Sequence, residues 1–567
     1  MKRAALLAAL LTTTLTALPI AALAQTADDL KNDEKTPDNV LVYGMGYSGQ
    51  RFSPLKQINK DNIGKLVPIW SYSMADLQGG ENFPIILDGV IYATTHDSTV
   101  AVNALTGKQI WKVKHDYPPE ALRSVCCGIV NRGVAIYAGM IIRALLDNRI
   151  VALDAKTGKQ IWETKSPDPA TSANGYAMTG APLIVNGVVI VGVAGAEFSN
   201  RGFIEGYDAK TGNPLWRTYT VPAKGEPGSE TWAGDSALTG GGSSWVTGTY
   251  DPDLDLVFWG VGNPSPWNPR GRFGDNLYTD SIWAMKPETG ERVWYYQATQ
   301  SDPFDYDAVQ TPINTTIKVN GNPQKVVIQA NRNGFLYVLD AKSGKLLAAN
   351  PYVDVSWASG VDMKTGRAIP TDVYNGAVAG QKVTVWPSTS GGTNWQHFSY
   401  SPNTGLLYVN TLDVGMTYEA PEPPKLTPGA PSGTPTVKRT TVTHDPNVRG
   451  YLKAIDPMTG KAKWQTPYAA PNYSSTLVTA SNLVFTGVMT GEFQALDADT
   501  GKILWSFQTP SGIVGQPVTW TKDGKQYVTV MSGIGGVYAQ RAGDPALVNV
   551  PTGVSLWTFA LFTNETQ

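Results

Sequence analysis

The sequence predicts an all-β fold, an eight-bladed β-propeller, and three observations support this prediction. The first is a phrase of eleven residues that recurs along the chain. The second is a composition of 58 glycines, 39 prolines, 25 tyrosines and 17 tryptophans, which is typical of tight turns between aromatic-rich strands. The third is a strand-like segment at the C-terminal end, which can complete a blade begun near the N-terminus.

In the recurring phrase, an apolar strand end leads into Asp-x-x-Thr-Gly or a variant of it, and a second strand ends in tryptophan in six of seven copies. Glycine permits the positive φ that such a turn needs. The copies are AVNALTGKQIW (101–111), ALDAKTGKQIW (152–162), GYDAKTGNPLW (206–216), AMKPETGERVW (284–294), VLDAKSGKLLA (338–348), AIDPMTGKAKW (454–464) and ALDADTGKILW (495–505). They recur about every 40–55 residues, with two longer gaps, and a β repeat of this period is typical of propellers with four strands per blade. We expect the tryptophans to pack between neighbouring blades.

Two further segments complete the predicted architecture. The C-terminal GVSLWTFALF (553–562) is predicted to be a strand that closes the ring. The segment 418–448 breaks the pattern with prolines and without apolar periodicity, so it is predicted to be an inserted Pro-rich loop. Residues 25–567 are therefore expected to form a single eight-bladed domain.

The first 24 residues predict a secretory signal peptide. Lys2 and Arg3 precede an interrupted apolar run, and Ala-Leu-Ala at 22–24 supplies a small-x-small cleavage site. An N-terminal membrane anchor is the weaker alternative. No later stretch reaches the roughly 18–20 continuous apolar residues of a spanning helix. We expect an exported, periplasmic protein without stable membrane insertion.

The charge balance and the histidines exclude several classes of function. The chain has 45 basic and 47 acidic residues and no basic tract, which argues against nucleic-acid binding. Its four histidines are not clustered, which argues against a histidine-based zinc or iron site. No C-x-x-C-H motif for haem attachment occurs.

The only two cysteines, Cys126 and Cys127, are neighbours in RSVCCGIVNRG (123–133). Adjacent Cα atoms lie about 3.8 Å apart, closer than most disulfides allow, and so short a loop restrains the unfolded chain very little. The pair is either two reduced cysteines or a disulfide with a role other than stability. An oxidising compartment favours the disulfide.

Four motifs in this order carry a resemblance to a known family. They are CC followed by NRG (126–133), GAEF (195–198), GNPSPWN (262–268) and DPFDYD (302–307). With the repeat, the sequence resembles the quinoprotein alcohol dehydrogenases, the methanol and ethanol dehydrogenase family, from about Tyr43 to Phe562. The resemblance implies an eight-bladed propeller that binds pyrroloquinoline quinone (PQQ) and a metal ion.

The resemblance implies that a Cys126–Cys127 disulfide lies against one face of PQQ and that Trp245 stacks on the other; blade packing is the alternative role for Trp245. Arg132 suits a PQQ carboxylate because its planar guanidinium can bind two oxygens. The residues expected to bind the cofactor are Glu81, Cys126, Cys127, Arg132, Thr179, Gly195, Ala196, Ser243, Trp245, Arg332 and Asn394.

The resemblance further implies that Glu197, Asn263 and Asp305 bind the metal and that Asp305 is the catalytic base. Such oxygen ligands favour hard cations such as Ca²⁺. Asp307 is an additional carboxylate that resembles the lanthanide-dependent branch, because a trivalent ion calls for one more anionic ligand than Ca²⁺. The alternatives are a calcium site and an Asp307 that is an ordinary loop residue.

The implied reaction is the oxidation of a primary or secondary alcohol to an aldehyde or ketone. Asp305, kept ionised by nearby positive charge, removes the hydroxyl proton while a hydride passes to C5 of PQQ. Ala194, Phe304 and the stretch Tyr473–Ser475 depart from the methanol enzymes and favour a substrate larger than methanol. The implied electron acceptor is a separate periplasmic cytochrome c or another soluble acceptor. The alternatives are a calcium-dependent PQQ sugar or aldehyde dehydrogenase and a non-enzymatic propeller scaffold.

Overall fold

A computed structural model of the chain describes residues 25–123, 125–166, 175–420, 437–536 and 544–562. The predicted signal peptide, residues 1–24, lies outside this part of the chain. The regular structure is mostly β, and the described residues include three short α-helices, Ala27–Lys31, Pro119–Arg123 and Asp372–Val378. No helix among the described residues is long and apolar enough to cross a membrane. The prediction of an all-β protein is confirmed.

Within the described residues, most strands belong to eight sheets, seven of four strands and one of five. We number them from the sheet that contains the first long strand. Sheet 1 contains Leu66–Ser73, Val518–Lys522, Lys525–Ser532 and Ser555–Leu561; sheet 2 contains Ile85–Leu87, Val90–Thr94, Ser98–Asn103 and Gln109–Lys114; sheet 3 contains Ala135–Tyr137, Met140–Ala144, Arg149–Asp154 and Gln160–Lys165; sheet 4 contains Leu183–Val185, Val188–Gly192, Phe203–Asp208 and Pro214–Tyr219.

The other four sheets follow in chain order. Sheet 5 contains Thr249–Asp251, Leu256–Val261, Ser281–Met285 and Arg292–Gln297; sheet 6 contains Ile313–Val319, Asn322–Ala330, Phe335–Asp340 and Leu346–Pro351; sheet 7 contains Ser399–Ser401, Leu406–Leu412, Gly450–Ile455 and Ala462–Tyr468; sheet 8 contains Phe52–Ser53, Thr476–Thr479, Leu483–Gly487, Glu492–Asp497 and Ile503–Gln508. The pairing is antiparallel throughout these sheets, except that Phe52–Ser53 pairs in parallel with Thr476–Thr479.

The six tryptophans of the recurring phrase, together with Trp70 of sheet 1, each join their sheet to the next. Their indole N–H groups donate to backbone carbonyls of the following sheet or its turn at 2.9 to 3.3 Å. The bonds are Trp70 to Ala104, Trp111 to Ala155, Trp162 to Ala209, Trp216 to Pro287, Trp294 to Ala341, Trp464 to Ala498 and Trp505 to Leu66. The predicted structural role of these tryptophans is confirmed.

The turn glycine of the phrase has a second role at these joints. Gly158 has φ +72°, and a Cβ there would lie 2.9 Å from the ring of Trp111. The glycine therefore supplies both the turn and the space for the indole of the preceding sheet. The copy at 338–348 ends in alanine, and there the Asn350 side chain donates to the carbonyl of Met458 at 2.9 Å instead.

The C-terminal strand Ser555–Leu561 lies between Leu66–Ser73 and Lys525–Ser532 and pairs antiparallel with both. The predicted strand at this end of the chain is confirmed. Because its two partners come from opposite ends of the sequence, sheet 1 fastens the two ends of the chain together.

Two small sheets lie outside the repeat. One pairs Ala358–Val361 with Ala368–Pro370, and the other contains Val383–Val385, Gly415–Glu419 and Lys438–Val442. The segment 418–448, predicted to be a loop, thus contains a strand, and its residues 421–436 lie outside the described part. The strand forms because Thr440, Thr441 and Val442 are β-branched and find a partner strand.

We predict that ring closure depends on Phe559, which is fully buried and packs against Phe493 and Trp505 with ring centroids 5.3 and 5.6 Å away. Phe559→Ala should lower the free energy of unfolding by about 3–5 kcal/mol because it leaves a cavity between aromatic rings. Phe562→Ala, three residues on and 60% exposed, is the matched control and should change it by less than about 0.5 kcal/mol. Denaturant titration measures both; equal effects would contradict the prediction.

Candidate active site

One cavity collects most of the predicted site residues. The predicted residues that line it are Glu81, Cys126, Cys127, Arg132, Thr179, Gly195, Glu197, Ser243, Trp245, Asp305, Asp307, Arg332 and Asn394. Two predicted residues, Ala196 and Asn263, are buried beside lining residues rather than in the wall. Residues 25 to 73 supply none of the predicted site residues, so the site belongs to the repeats.

The repeat explains why these residues meet. Glu81, Arg132, Thr179, Trp245, Asp305, Asp307 and Asn394 lie in the segments that lead into the first strands of sheets 2 to 7. Glu197, Asn263 and Arg332 lie between the second and third strands of sheets 4, 5 and 6. In an antiparallel sheet the start of the first strand and the end of the second lie at the same end. All of these side chains therefore come to one face of the ring of sheets.

Cys126 and Cys127 are joined by a disulfide, with their Cα atoms 3.8 Å apart. Cys127 has φ 67°, in the left-handed region. The pair belongs to the cavity wall, with Cys127 exposed. A planar ligand in the cavity can therefore contact the disulfide directly.

Arg132 places a positive charge in the cavity wall, and its contacts hold it there. Its guanidinium pairs with Glu81 at 2.6 Å and donates to the Thr179 hydroxyl at 2.9 Å. It also lies 4.7 Å from the ring centroid of Trp245 and 5.1 Å from that of Trp395. These contacts hold the guanidinium plane beside two indoles. The site can thus offer a positive charge next to flat aromatic surfaces.

Trp395 and Val130 line the cavity and were missed by the sequence analysis. The available indication for Trp395 was that, like Trp245, it stands outside the recurring phrase. Conversely, Phe304 packs against Tyr306 and Tyr418 and does not line the cavity. Of the residues expected to reshape the pocket, Ala194 lies in its wall.

Arg332 lies between the two carboxylates of the DPFDYD motif. It contacts Asp305 at 3.0 Å and forms a short ion pair with Asp307. The other Asp307 oxygen accepts the backbone N–H of Asn263 at 2.8 Å. A Cβ at Gly262 would lie 2.0 Å from that same oxygen, so only glycine permits this approach. The GNPSPWN and DPFDYD motifs are thereby held together.

Burial governs the protonation of this cluster. Burial, aided by the charge of Asp307, raises the pKa of Glu197 to about 7. Burial also raises the pKa of Asp305 well above its ordinary value and raises that of Asp307, although Arg332 opposes both shifts. Arg332 alone therefore does not offset the burial of Asp305, and the expectation that nearby positive charge keeps Asp305 ionised stays a prediction for the protein with its metal ion bound. Removing three neighbouring carboxylates from water costs more than one guanidinium restores.

The donor atoms fit a hard cation. The side-chain oxygen Oδ1 of Asn263 and Oδ1 of Asp305 are buried, and neither accepts a hydrogen bond from any residue in the described part of the chain. Carboxylate and amide oxygens are the ligands that such cations prefer. A cation here would also supply the positive charge that the cluster lacks.

Comparison with known proteins agrees with this geometry. Residues 41–372 and 361–528 match the family described as the PQQ glucose/ethanol/alcohol dehydrogenase beta-propeller domain. The chain belongs to the PQQ-dependent alcohol dehydrogenases. It is 40% identical to the quinohemoprotein alcohol dehydrogenase ADH IIB of Pseudomonas putida over 94% of this chain and 79% of that protein. It is 38% identical to the quinoprotein alcohol dehydrogenase PedH of Pseudomonas putida over 94% and 93%.

A solved structure, that of a europium-containing methanol dehydrogenase, superposes with a TM-score of 0.88 at 33% identity, over 94% of this chain and all of that one. Membership of the family, enzymatic activity with PQQ and a propeller domain are thus established. The scaffold alternative is excluded. The cavity of this PQQ-dependent alcohol dehydrogenase is its candidate active site.

We predict that the disulfide serves the cofactor rather than the fold. In the double variant Cys126→Ala, Cys127→Ala, PQQ-dependent turnover should fall about 100-fold because a flat ligand loses a rigid contact surface. Thermal unfolding of the cofactor-free protein should shift only slightly, since the closed loop is too short to restrain the unfolded chain. Calorimetry and steady-state kinetics on the same preparations measure both. A large loss of stability with turnover per folded molecule preserved would contradict this.

Proposed function

We propose that this PQQ-dependent alcohol dehydrogenase is a periplasmic enzyme that oxidises primary or secondary alcohols larger than methanol, with Asp305 as base and a lanthanide as its metal. The observation that carries the proposal is the buried cluster of Glu197, Asp305 and Asp307 in the wall of a cavity that also contains the disulfide. Reconstitution with PQQ and either Ca²⁺ or La³⁺, followed by a panel of alcohols, tests it.

The chain's own residues would hold the cofactor and the metal. The disulfide and Trp245 would contact the two faces of PQQ, and Arg132 would bind a carboxylate, with Thr179, Ser243 and Asn394 along the edge. Glu197, Asn263, Asp305 and Asp307 would bind the metal. When bound, PQQ accepts the hydride of the alcohol carbon and the cation acts as a Lewis acid.

The contacts of Asp305 support its proposed role as base. Its Oδ2 is held by Arg332 at 3.0 Å, while its Oδ1 accepts no hydrogen bond from the described residues. Oδ2 therefore fixes the orientation, and the cation and the substrate hydroxyl would share the two lone pairs of Oδ1. Because burial raises the pKa of Asp305, a bound cation must hold the carboxylate ionised before it can act as a base.

Asp307 supports the lanthanide over Ca²⁺ through the number of anionic ligands. Glu197, Asp305 and Asp307 would supply three carboxylates to a trivalent ion, although Arg332, which pairs with two of them, brings the net charge of the cluster to −2. For direct ligation, Asp307 must share the oxygen that now contacts Arg332. The europium in the similar methanol dehydrogenase structure supports a lanthanide at such a site. The alternative is a calcium enzyme that oxidises sugars or aldehydes.

Three observations support a substrate larger than methanol. Ala194 places a small side chain in the cavity wall. Trp245 and Trp395 in that wall belong to an apolar cluster with Tyr473 and Leu547, so one side of the site is apolar. Similar enzymes at 38% identity are named ethanol dehydrogenases.

The remaining parts of the proposal concern architecture and context. The tryptophan joints and the Asn350 bond link all eight sheets in sequence, including sheet 8 back to sheet 1, which supports an eight-bladed ring. We propose a separate periplasmic cytochrome c as electron acceptor. The predicted signal peptide supports the periplasmic location.

We predict that the specificity constant rises along the series methanol, ethanol, 1-butanol. Each added methylene that is buried on the apolar side of the cavity contributes up to about 0.8 kcal/mol. Steady-state kinetics with PQQ, La³⁺ and an artificial electron acceptor measures it, with 2-butanol as the test of a secondary alcohol. A kcat/KM that is highest for methanol would reject the proposed substrate class.

We predict that substitution of Asp307 affects activity with one metal ion, whereas substitution of Asp305 affects activity with both. Asp307→Ala should abolish La³⁺-supported activity and spare any Ca²⁺-supported activity, because it removes the third negative charge. Asp305→Ala should abolish activity with both ions, because it removes the base.

Metal titrations of PQQ-loaded wild type and both variants measure this. Asp307→Asn is the matched control that keeps the shape and removes the charge, and it should behave as Asp307→Ala does. If wild type is equally active with both ions and neither Asp307 variant changes this, the site is a calcium site.

A further inference from the structure

Asp302, the first residue of DPFDYD, is not a predicted ligand, yet it shapes the loop that carries both aspartates. It is buried, and its two carboxylate oxygens accept the backbone N–H groups of Phe304 at 2.8 Å and Tyr306 at 2.6 Å. These two amides flank Asp305, whose φ is 66°. With both neighbours tied to one carboxylate, the backbone at Asp305 is held in this left-handed conformation.

Arg272 ties this loop to the metal motif GNPSPWN. It is fully buried and donates to the carbonyls of Pro266 at 2.6 Å and Trp267 at 3.2 Å. It also donates to the carbonyl of Asp302 in a short hydrogen bond and to the Asn276 side chain at 2.6 Å. One guanidinium therefore spans the segment that follows Asn263 and the segment that precedes Asp305.

The shape of the arginine side chain suits this position. A guanidinium has five N–H donors in a rigid plane. Its hydrogen bonds to four acceptors on two loops therefore hold both the guanidinium and the two loops in place. Asp302 supplies a carboxylate beside it, which makes burial of the charge tolerable. Nothing in either residue lines the cavity, so both would act through the residues they hold.

We propose that Arg272 and Asp302 are positioning residues that set the geometry between Asn263 and the carboxylates of Asp305 and Asp307. This inference rests on the proposed function of that cluster and adds to it the pair that fixes the distance between the two ligand-bearing loops. A base and metal ligands need placement to within a fraction of an ångström, which loops alone do not provide.

Two other buried residues provide matched controls. Asp33 is buried and likewise accepts two backbone N–H groups with its two oxygens, from Leu41 at 2.8 Å and Val42 at 3.0 Å. Arg143 is fully buried and likewise donates to backbone carbonyls, those of Thr95 at 2.6 Å and His96 at 2.7 Å. Neither lines the cavity, so a loss of stability without a change at the site is expected from both.

The experiment compares Asp302→Asn with Asp33→Asn, and Arg272→Lys with Arg143→Lys, in holoenzyme loaded with PQQ and La³⁺ or Ca²⁺. Asparagine leaves one of the Phe304 and Tyr306 amides without an acceptor, and lysine keeps the charge but loses the planar set of donors. Three quantities are measured: amide hydrogen exchange of peptides that cover 302–307, the metal dissociation constant by equilibrium dialysis, and kcat and KM for ethanol.

We expect Asp302→Asn and Arg272→Lys to speed exchange in 302–307, to weaken metal binding about 10- to 100-fold and to lower kcat by a similar factor with KM for ethanol little changed. The Asp33 and Arg143 variants should match wild type in all three. Exchange and metal affinity that do not differ between the test and control variants would overturn the proposal. If wild type itself oxidises no alcohol, the proposed function fails, while the exchange rates and metal constants still decide the positioning role. If Asp302→Asn does not fold, the Arg272→Lys pair decides.

Discussion

The joint between a tryptophan of one sheet and the turn glycine of the next is the interaction on which the rest of the structure depends. The indole donates to a carbonyl of the next phrase, as Trp111 does to Ala155, and its ring occupies the space that the missing Cβ of Gly158 leaves. Each joint fixes both the distance and the rotation between neighbouring sheets, because a hydrogen bond and a ring contact act together. The residues at one end of six different sheets form one cavity because these joints hold the sheets side by side in sequence.

That cavity imposes the second constraint, which is electrostatic. Glu197, Asp305 and Asp307 are removed from water, and Arg332 is the cation among the described residues that pairs with Asp305 and Asp307. Burial raises the pKa of each carboxyl, so a cation that bound the cluster would have to displace protons. The same shortage of positive charge that disfavours the ionised cluster would favour the binding of a hard cation. Function and instability of this region have one physical origin.

The sequence alone predicted the repeat, the role of its tryptophans, the closing strand and thirteen residues of the cavity wall, because each has a local pattern or a motif of fixed order. It failed where the outcome depends on contacts between distant segments. The strand Lys438–Val442 exists through its partner Gly415–Glu419, Phe304 was expected in the pocket but packs on Tyr418, and the raised pKa of Asp305 reflects how many atoms surround it. Arg272 lies in no motif, since three of its four acceptors are backbone carbonyls that any residue can provide.

The joint without tryptophan lies near the segments that depart from the repeat, and these segments pack against the site. Between sheets 6 and 7, Asn350 replaces the indole, and this connection contains one small sheet and the first strand of the other. The remaining strands of the second small sheet, Gly415–Glu419 and Lys438–Val442, lie between the second and third strands of sheet 7. Those sheets contribute Trp357, Val385 and Tyr418 to an apolar cluster that also contains Phe304 and Tyr306, on either side of Asp305. Arg439 of the second small sheet lies 4.6 Å from the ring centroid of Trp267 in the metal motif. The segments that depart from the repeat therefore pack against the segment that contains Asp305 and against the GNPSPWN motif. The repeated joints bring side chains to one face of the ring, and the packing of these segments adds a second layer beside Asp305 and the GNPSPWN motif.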